Sequence, residues 1–217
     1  MNNIFCLLKF GQEKYLRSLI DGELYFNTVE HYVNSDKDQV GDPNEGCVWI
    51  ENGQFTSIKA NHPTLGFHEF KPVPNRLGKL SQSNLNFLSC SFFAITPNVF
   101  TESDTFIIDN RISEFGTHAL MINEPCKFLG DVANELKLQN IEYEIDIVKY
   151  RDFNTEGRIE LTPFDKSNDY SHQHELRIIR RNVDNQAKTV SIGSIADYVE
   201  ITETKYFLET VWSAKRK

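Results

Sequence analysis

The chain has 217 residues and a formal net charge of −8, with 23 Lys and Arg against 31 Asp and Glu. A single domain over residues 1–217 is expected, because a chain of this length buries about 70% of its unfolded surface and needs no disulfide or structural metal to fold. The acidic balance argues against nonspecific duplex binding, since like charge repels the phosphate backbone at long range.

Residues 3–10 read as a buried strand that Gly11 ends. Residues 12–21 follow as a short helix, with Tyr15, Leu16, Leu19 and Ile20 at helical spacing and Gln12, Glu13, Lys14 and Arg17 toward water. Asp21-Gly22 stops it, glycine being free to turn left-handed, and residues 23–27 form a second strand. Residues 28–46 are polar, with turn chemistry at Gly41-Asp42-Pro43-Asn44-Glu45-Gly46. Residues 47–60 read as a hairpin turning at Asn52-Gly53, 61–83 as a loop with three prolines, and 86–95 as a buried strand. A short helix at 109–115, a strand at 117–123 and an amphipathic helix at 125–138 come next. Over 141–150, Tyr143, Ile145 and Ile147 alternate with Glu142, Glu144 and Asp146, the pattern of a half-buried strand. Residues 173–182 and 187–193 read as a hairpin around Asp184-Asn185, and 205–213 as the last strand. Many strands and few helices give an α+β class: a mostly antiparallel sheet, whole or split, with a few short helices.

With 16 Phe and 2 Met, aromatic rings should dominate the core. Cys6, Cys47, Cys90 and Cys126 lack zinc-knuckle spacing, and Cys6 and Cys90 sit in apolar runs as buried thiols. The histidines form no i, i+4 metal pair, and His172 and His174 alternate with Gln173 and Glu175. The absence of a glycine-rich phosphate loop and of a Gly-x-Ser-x-Gly elbow argues against nucleotide kinases and serine hydrolases. The start lacks a basic region followed by an apolar stretch, and no apolar run approaches ~18 residues, so no membrane association and a cytoplasmic location are expected. Local basic patches are candidates at Lys149 with Arg151, at Arg177, Arg180 and Arg181, and at Lys215, Arg216 and Lys217. Asp42 and Glu45 are too few for a calcium loop and read as a solvated turn, with Asp42 bonding its own backbone. Glu142, Glu144, Asp146 and Lys149 fit a nuclease strand less simply than the wet face of an edge strand.

The chemistry concentrates in two apolar runs broken by polar residues two apart. Ser89 and Ser91 share one face of their strand, and Gln173 and Glu175 share one face of theirs. An unpaired buried hydroxyl or amide costs roughly 1–3 kcal/mol, so these groups pair, line a cleft or face solvent. The bland alternative for Glu175 is a surface salt bridge with Arg177 or Lys166.

The opening Leu8-Lys9-Phe10-Gly11, the helix from Tyr15 to Gly22 and the strand Leu24-Tyr25-Phe26, followed by Ser89-x-Ser91 and Gln173-x-Glu175, resemble ADP-ribosyltransferases. The first-strand arginine of one branch of that family is missing here, as is the histidine of other branches, and Lys9 stands nearest. The resemblance implies NAD as co-substrate, Glu175 as the carboxylate that stabilises an oxocarbenium-like ribose, and Gln173 facing the acceptor. It further implies Lys9 on the diphosphate, Ser89 and Ser91 supporting the site, Tyr25 or Tyr32 stacking on nicotinamide, and no metal. The chain also resembles a group of bacterial abortive-infection (AbiGi-like) and phage-linked proteins, through the same opening, the loop Asp42-Pro43-Asn44-Glu45 and the segment Tyr170 to Arg177. Together the resemblances imply an enzyme of a conflict system, in defence or counter-defence, that modifies a protein or nucleic acid. The alternatives are an inhibitor or antitoxin that binds a protein partner, and a conflict-system nuclease.

Overall fold

A computed structural model of the protein describes residues 4–36, 39–64, 66–71, 78–83, 86–181 and 184–215. Its main sheet draws on eight strands: β1 (Cys6–Gly11), β2 (Glu23–Thr28), β3 (Phe87–Ile95), β4 (His118–Ile122), β5 (Tyr143–Ile147), β6 (Glu175–Arg181), β7 (Lys188–Ser191) and β8 (Val199–Glu203). The order is β5-β6-β3-β1-β4-β8, with β2 and β7 branching from β3, and every pairing is antiparallel. Four α-helices accompany it among the described residues: α1 (Glu13–Ile20), α2 (Val29–Val33), α3 (Pro125–Leu138) and α4 (Thr204–Glu209). The fold class is therefore α+β, as the sequence pattern implies. None of these helices is long and apolar enough to cross a membrane.

The sheet is split at β3. One edge of β3 is held by β6 throughout, from Phe87 opposite Arg181 to Phe93 opposite Glu175. The other edge is divided: β2 pairs with Leu88 and Ser89, and β1 pairs with Phe93, Ala94 and Ile95. Cys90, Ser91 and Phe92 have no ladder partner on that side. Two wings, β2–β7 and β1–β4–β8, thus leave the same edge and diverge, and α1 spans them between β1 and β2. Helix α1 buries Leu16 and Leu19 against the sheet and leaves Tyr15 exposed.

Strand alternation sorts the core into two layers. Leu7, Cys90, Phe92, Leu120, Leu176 and Ile178 meet Phe128, Val132 and Leu136 of α3 on one face. The i, i+4, i+8 spacing of those three helix residues is what buries that side of α3. Leu8, Phe93, Ile95 and Ala119 meet Phe100, Ile108, Ile112 and Phe207 on the other face. Ser89, Ser91, Glu175 and Arg177 share the parity of this second face.

Several local expectations yield to tertiary pairing. Asn52-Gly53 turns no hairpin: the strand Cys47–Gly53 runs through it and pairs with Gly78–Ser83 and Gly157–Glu160. Asn52 is buried there, donating to the Phe153 and Thr155 carbonyls at 2.7 and 2.9 Å, so side-chain partners outweigh turn propensity. The stretch read as a loop contains a hairpin of Ile58–His62 with Gly66–Phe70 besides Gly78–Ser83, while residues 65 and 72–77 lie outside the described residues. β6 and β7 form no hairpin, since β7 pairs with β2 on the far wing. The last strand of the sheet is β8, and residues 204–209 form α4, because Thr204 and Phe207 are buried at helical spacing. Arg177, Arg180 and Arg181 make no patch: Arg177 is buried, Arg180 lies over the Phe26 ring, and Arg181 pairs with Glu142. Of the basic tail, Arg216 and Lys217 lie outside the described residues.

Gly22 joins α1 to the β7 wing. Its φ is +98°, and a Cβ there would stand 2.2 Å from the Gly193 carbonyl oxygen. Both the left-handed backbone and the close approach exclude a side chain. Gly22→Ala should cost roughly 1–3 kcal/mol or more, read as a lower urea midpoint with an unchanged denaturant slope.

Candidate active site

The cleft is built where the sheet splits. Before β6, residues Asn168–Gln173 form a 3-10 turn that Ser167 caps. His174 then adopts the left-handed conformation, with φ 40° and ψ 49°. Gln173 therefore lies in the turn and not in the strand, contrary to the reading of 173–182 as one strand. The His174 ring sits edge-on to Phe93 and Phe106, at 5.3 and 5.2 Å between centroids, and that packing holds the unusual backbone in place. The chain leaves this turn with Glu175 opposite Phe93, and the Glu175 N–H donates to the Tyr150 hydroxyl at 2.9 Å.

Glu175 is buried, and both its oxygens are engaged. Oε1 accepts from Ser91 Oγ at 2.5 Å and from Arg177 Nε at 2.7 Å, and Oε2 from Lys166 Nζ at 3.0 Å. Arg177 also forms a two-pronged pair with Glu45, at 2.6 and 3.0 Å, and donates to the Pro163 carbonyl. Two cations and two carboxylates, all at most 8% exposed, thus form one buried chain of charge. Burial alone would raise the Glu175 carboxyl, but Arg177 and Lys166 beside it prevail and hold it well below the usual range. Glu45 goes the other way: burial outweighs Arg177 and Lys166 and raises it. Burial by itself would lower Arg177, yet Glu175 and Glu45 keep it firmly protonated.

The turn read as solvated is in fact inside the molecule. Asp42 and Glu45 are both buried. Asp42 does bond its own backbone, accepting from the Asn44 N–H at 2.8 Å. The loop is tied over the cleft by the Tyr170 hydroxyl on the Gly41 carbonyl and by Gln173 Nε2 on the Gln39 carbonyl, both 2.9 Å. The two segments that carry the resemblance to abortive-infection proteins, the Asp-Pro-x-Glu loop and the stretch from Tyr170 to Arg177, therefore touch each other.

The cleft has a volume of 160 Å³. Lys9, Tyr32, Ser89, Ser91, Gln173 and Glu175 all line it. Tyr25 does not: it is exposed on β2, opposite Thr189. Lys9 reaches across the split, its ammonium donating to the Ser91 carbonyl at 2.6 Å and lying over the Phe92 ring at 5.0 Å. It fills the gap where β1 and β3 cease to pair. Tyr32 is half-buried, with its hydroxyl bonded to Ser89, and burial raises its phenol. Gln173 is buried with both ends of its amide engaged, Oε1 by Lys166 at 2.8 Å. It braces the loop and Lys166. Leu8, Phe10, Phe93, Ile112 and Phe115 supply the opposite, apolar wall. Lys166 and Arg177 were visible in sequence as salt-bridge partners, but nothing local marked them as buried. Glu45 had no signal beyond its loop.

The chain matches no protein-family model, no curated protein and no solved structure.

Two outcomes follow for stability. Arg177→Met leaves Glu45 and Glu175 as buried carboxylates without their shared cation, and removal of one partner from such a pair costs about 3–5 kcal/mol. Adding Glu45→Gln should recover part of that loss in urea unfolding. The second concerns His172 and His174, which burial holds below the ordinary value of 6.5. The unfolded chain takes up these protons at higher pH than the folded chain, so their contribution is full above 6.5 and lost as pH falls below it. His174→Asn keeps a residue that tolerates left-handed backbone and removes one such group. From pH 7.5 to 5.5 the parent protein should lose more unfolding free energy than this variant.

Proposed function

We propose that the cleft binds NAD and transfers its ADP-ribose to a protein or nucleic acid, as an ADP-ribosyltransferase-like enzyme of a bacterial or phage conflict system. The observation that supports this is the convergence of Lys9 from β1, Ser89 and Ser91 from β3, and Glu175 from β6 on one cleft, at the point where the sheet splits. These residues are scattered over most of the sequence, and they are the ones the family resemblance selects. A protein acting only as an inhibitor needs an exposed surface and has no use for a buried, charged cleft.

In this reading the C1′–N bond of nicotinamide ribose breaks, and nicotinamide leaves with the bonding electrons as a neutral ring. The acceptor's lone pair forms the new bond to C1′, and its proton passes to solvent. Positive charge grows on the ribose meanwhile, and a fixed carboxylate stabilises it. Glu175 is ionised and rigidly placed by Ser91, Arg177 and Lys166, so it needs no reorganisation as that charge develops. The lining carries three cations, Lys9, Lys166 and Arg177, against two carboxylates, Glu45 and Glu175, which favours an anionic ligand. Lys9 is the cation least committed to a carboxylate and suits the diphosphate as a point charge.

The volume of 160 Å³ lies below the ~300–1,000 Å³ of sites that enclose whole small molecules. It fits the nicotinamide end, with the rest of the dinucleotide extending outward. Gln39 Oε1 is buried beside this space with no hydrogen-bond partner, and the amide N–H of nicotinamide supplies what it lacks. Tyr32 offers its ring for stacking.

Glu175→Gln keeps the shape and removes the charge. Turnover of labelled NAD should fall about 100-fold, roughly 3 kcal/mol of transition-state stabilisation, while NAD binding persists. Turnover is to be compared per folded molecule, because the substitution also unbalances the buried charges. A lower melting temperature with unchanged turnover would make Glu175 purely structural, and a wild-type protein that neither binds nor consumes NAD would end this reading.

A further inference from the structure

A second cavity, of 590 Å³, lies away from the cleft, between α3 and β5. β5 is the terminal strand of the sheet order, bonded to β6 alone among the described residues. The Arg181 N–H donates to the Glu142 carbonyl, and the Val148 N–H to the Glu175 carbonyl. These bonds fix the phase of the ladder: even-numbered residues turn their main-chain groups toward β6, and Tyr143 and Ile145 turn theirs outward. The Ile147 N–H is taken up by Asp146 Oδ1 at 2.8 Å, which closes that end of the edge.

The cavity thus pairs an open backbone edge with an apolar wall. Leu129 and Ala133 of α3 and Ile145 of β5 line it, and its charged lining residues, Glu144 and Asp146, are both acidic and exposed. Gly130 also lines it, in the middle of α3, where glycine is less favourable than alanine. A Cβ at Gly130 would meet no atom within 4 Å, so nothing in the free molecule requires glycine there. Its missing side chain keeps the groove open.

We propose that this groove docks an extended segment of a partner protein, in which basic residues alternate with apolar ones, as an added strand on β5. The main-chain groups of Tyr143 and Ile145 supply the ladder. Alternation then sends one set of side chains to the wall of α3 and the other to Glu144 and Asp146. The acidic rim selects the occupant: a second copy of this chain would bring its own Glu144 and Asp146 against the same carboxylates, and like charges across a strand pair destabilise it. The site is independent of the proposed transferase chemistry.

The probe is a fluorescent, end-capped heptapeptide of alternating Lys and Val, titrated against the full chain by anisotropy. Controls are its Glu/Val counterpart and a Lys/Val peptide N-methylated at alternate residues, which cannot complete a ladder. Saturable binding of the Lys/Val peptide is expected, at least tenfold weaker with Glu144→Lys, with Gly130→Met and with N-methylation. Gly130→Met fills the groove without meeting the fold, so its melting temperature should not drop. Equal binding of the Lys/Val and Glu/Val peptides would overturn the proposal. So would binding that survives Gly130→Met and N-methylation, since attraction to the net acidic surface then suffices. Concentration-dependent dimerisation of the wild type in sedimentation velocity, abolished by Gly130→Met, would make a second copy the occupant and overturn it as well.

Discussion

The guanidinium of Arg177, shared between Glu45 and Glu175, is the interaction on which the rest of the cleft depends. Arginine alone among the cations presents a planar fork that serves one carboxylate with two parallel bonds and still has Nε for another. It ties the loop at residues 39–46 to the sheet, and it sets the ionised state of Glu175. Lys166 completes the set, so burial of four charges leaves the group neutral. Such a cluster adds little net stability over an apolar core of the same shape. What it does is fix two carboxylates, a hydroxyl and a loop in one geometry, which a functional site needs more than a core does.

The split of the sheet gives that geometry its opening. β3 is a nine-residue strand with one complete neighbour and two partial ones. Where β2 has ended and β1 has not begun, the backbone of Cys90 to Phe92 has no ladder partner on one side. A gap of this kind in an otherwise apolar strand would leave an unsatisfied carbonyl, at a cost of roughly 1–3 kcal/mol. Lys9 removes that cost at Ser91, with its ammonium over the Phe92 ring, and is itself among the residues that line the cleft. The same residue therefore ties β1 to β3 beyond the point where their ladder ends.

The periodic elements could be read directly from the sequence. The helix at 125–138, the strands at 86–95 and 117–123 and the alternation at 143–147 follow from hydrophobic spacing, and tertiary packing agrees with it. What could not be read was partnership. Asn52-Gly53 has the chemistry of a tight turn, yet the buried amide of Asn52 finds two carbonyls about a hundred residues away, and these outweigh the turn. Gln173 and Glu175 look like neighbours on one strand face, but a left-handed His174, stabilised by Phe93 and Phe106, separates turn from strand. Asp42 and Glu45 read as wet because local sequence cannot show that an arginine more than 130 residues later will be brought against Glu45. The candidate site was legible as a set of residue types, and only the folded sheet could show which of them meet.

The chain carries 23 Lys and Arg at a net charge of −8, and three of them, Lys9, Lys166 and Arg177, line one small cleft. On the acidic surface Lys and Arg would form weak, screened pairs worth less than about 1 kcal/mol each. Inside, where water is displaced, the same charges orient one another strongly. The apolar wall of Leu8, Phe10, Phe93, Ile112 and Phe115 excludes water from that side and strengthens every polar contact opposite it. The net acidic balance of the chain thus coexists with a buried cluster in which Lys166 and Arg177 answer Glu45 and Glu175 charge for charge.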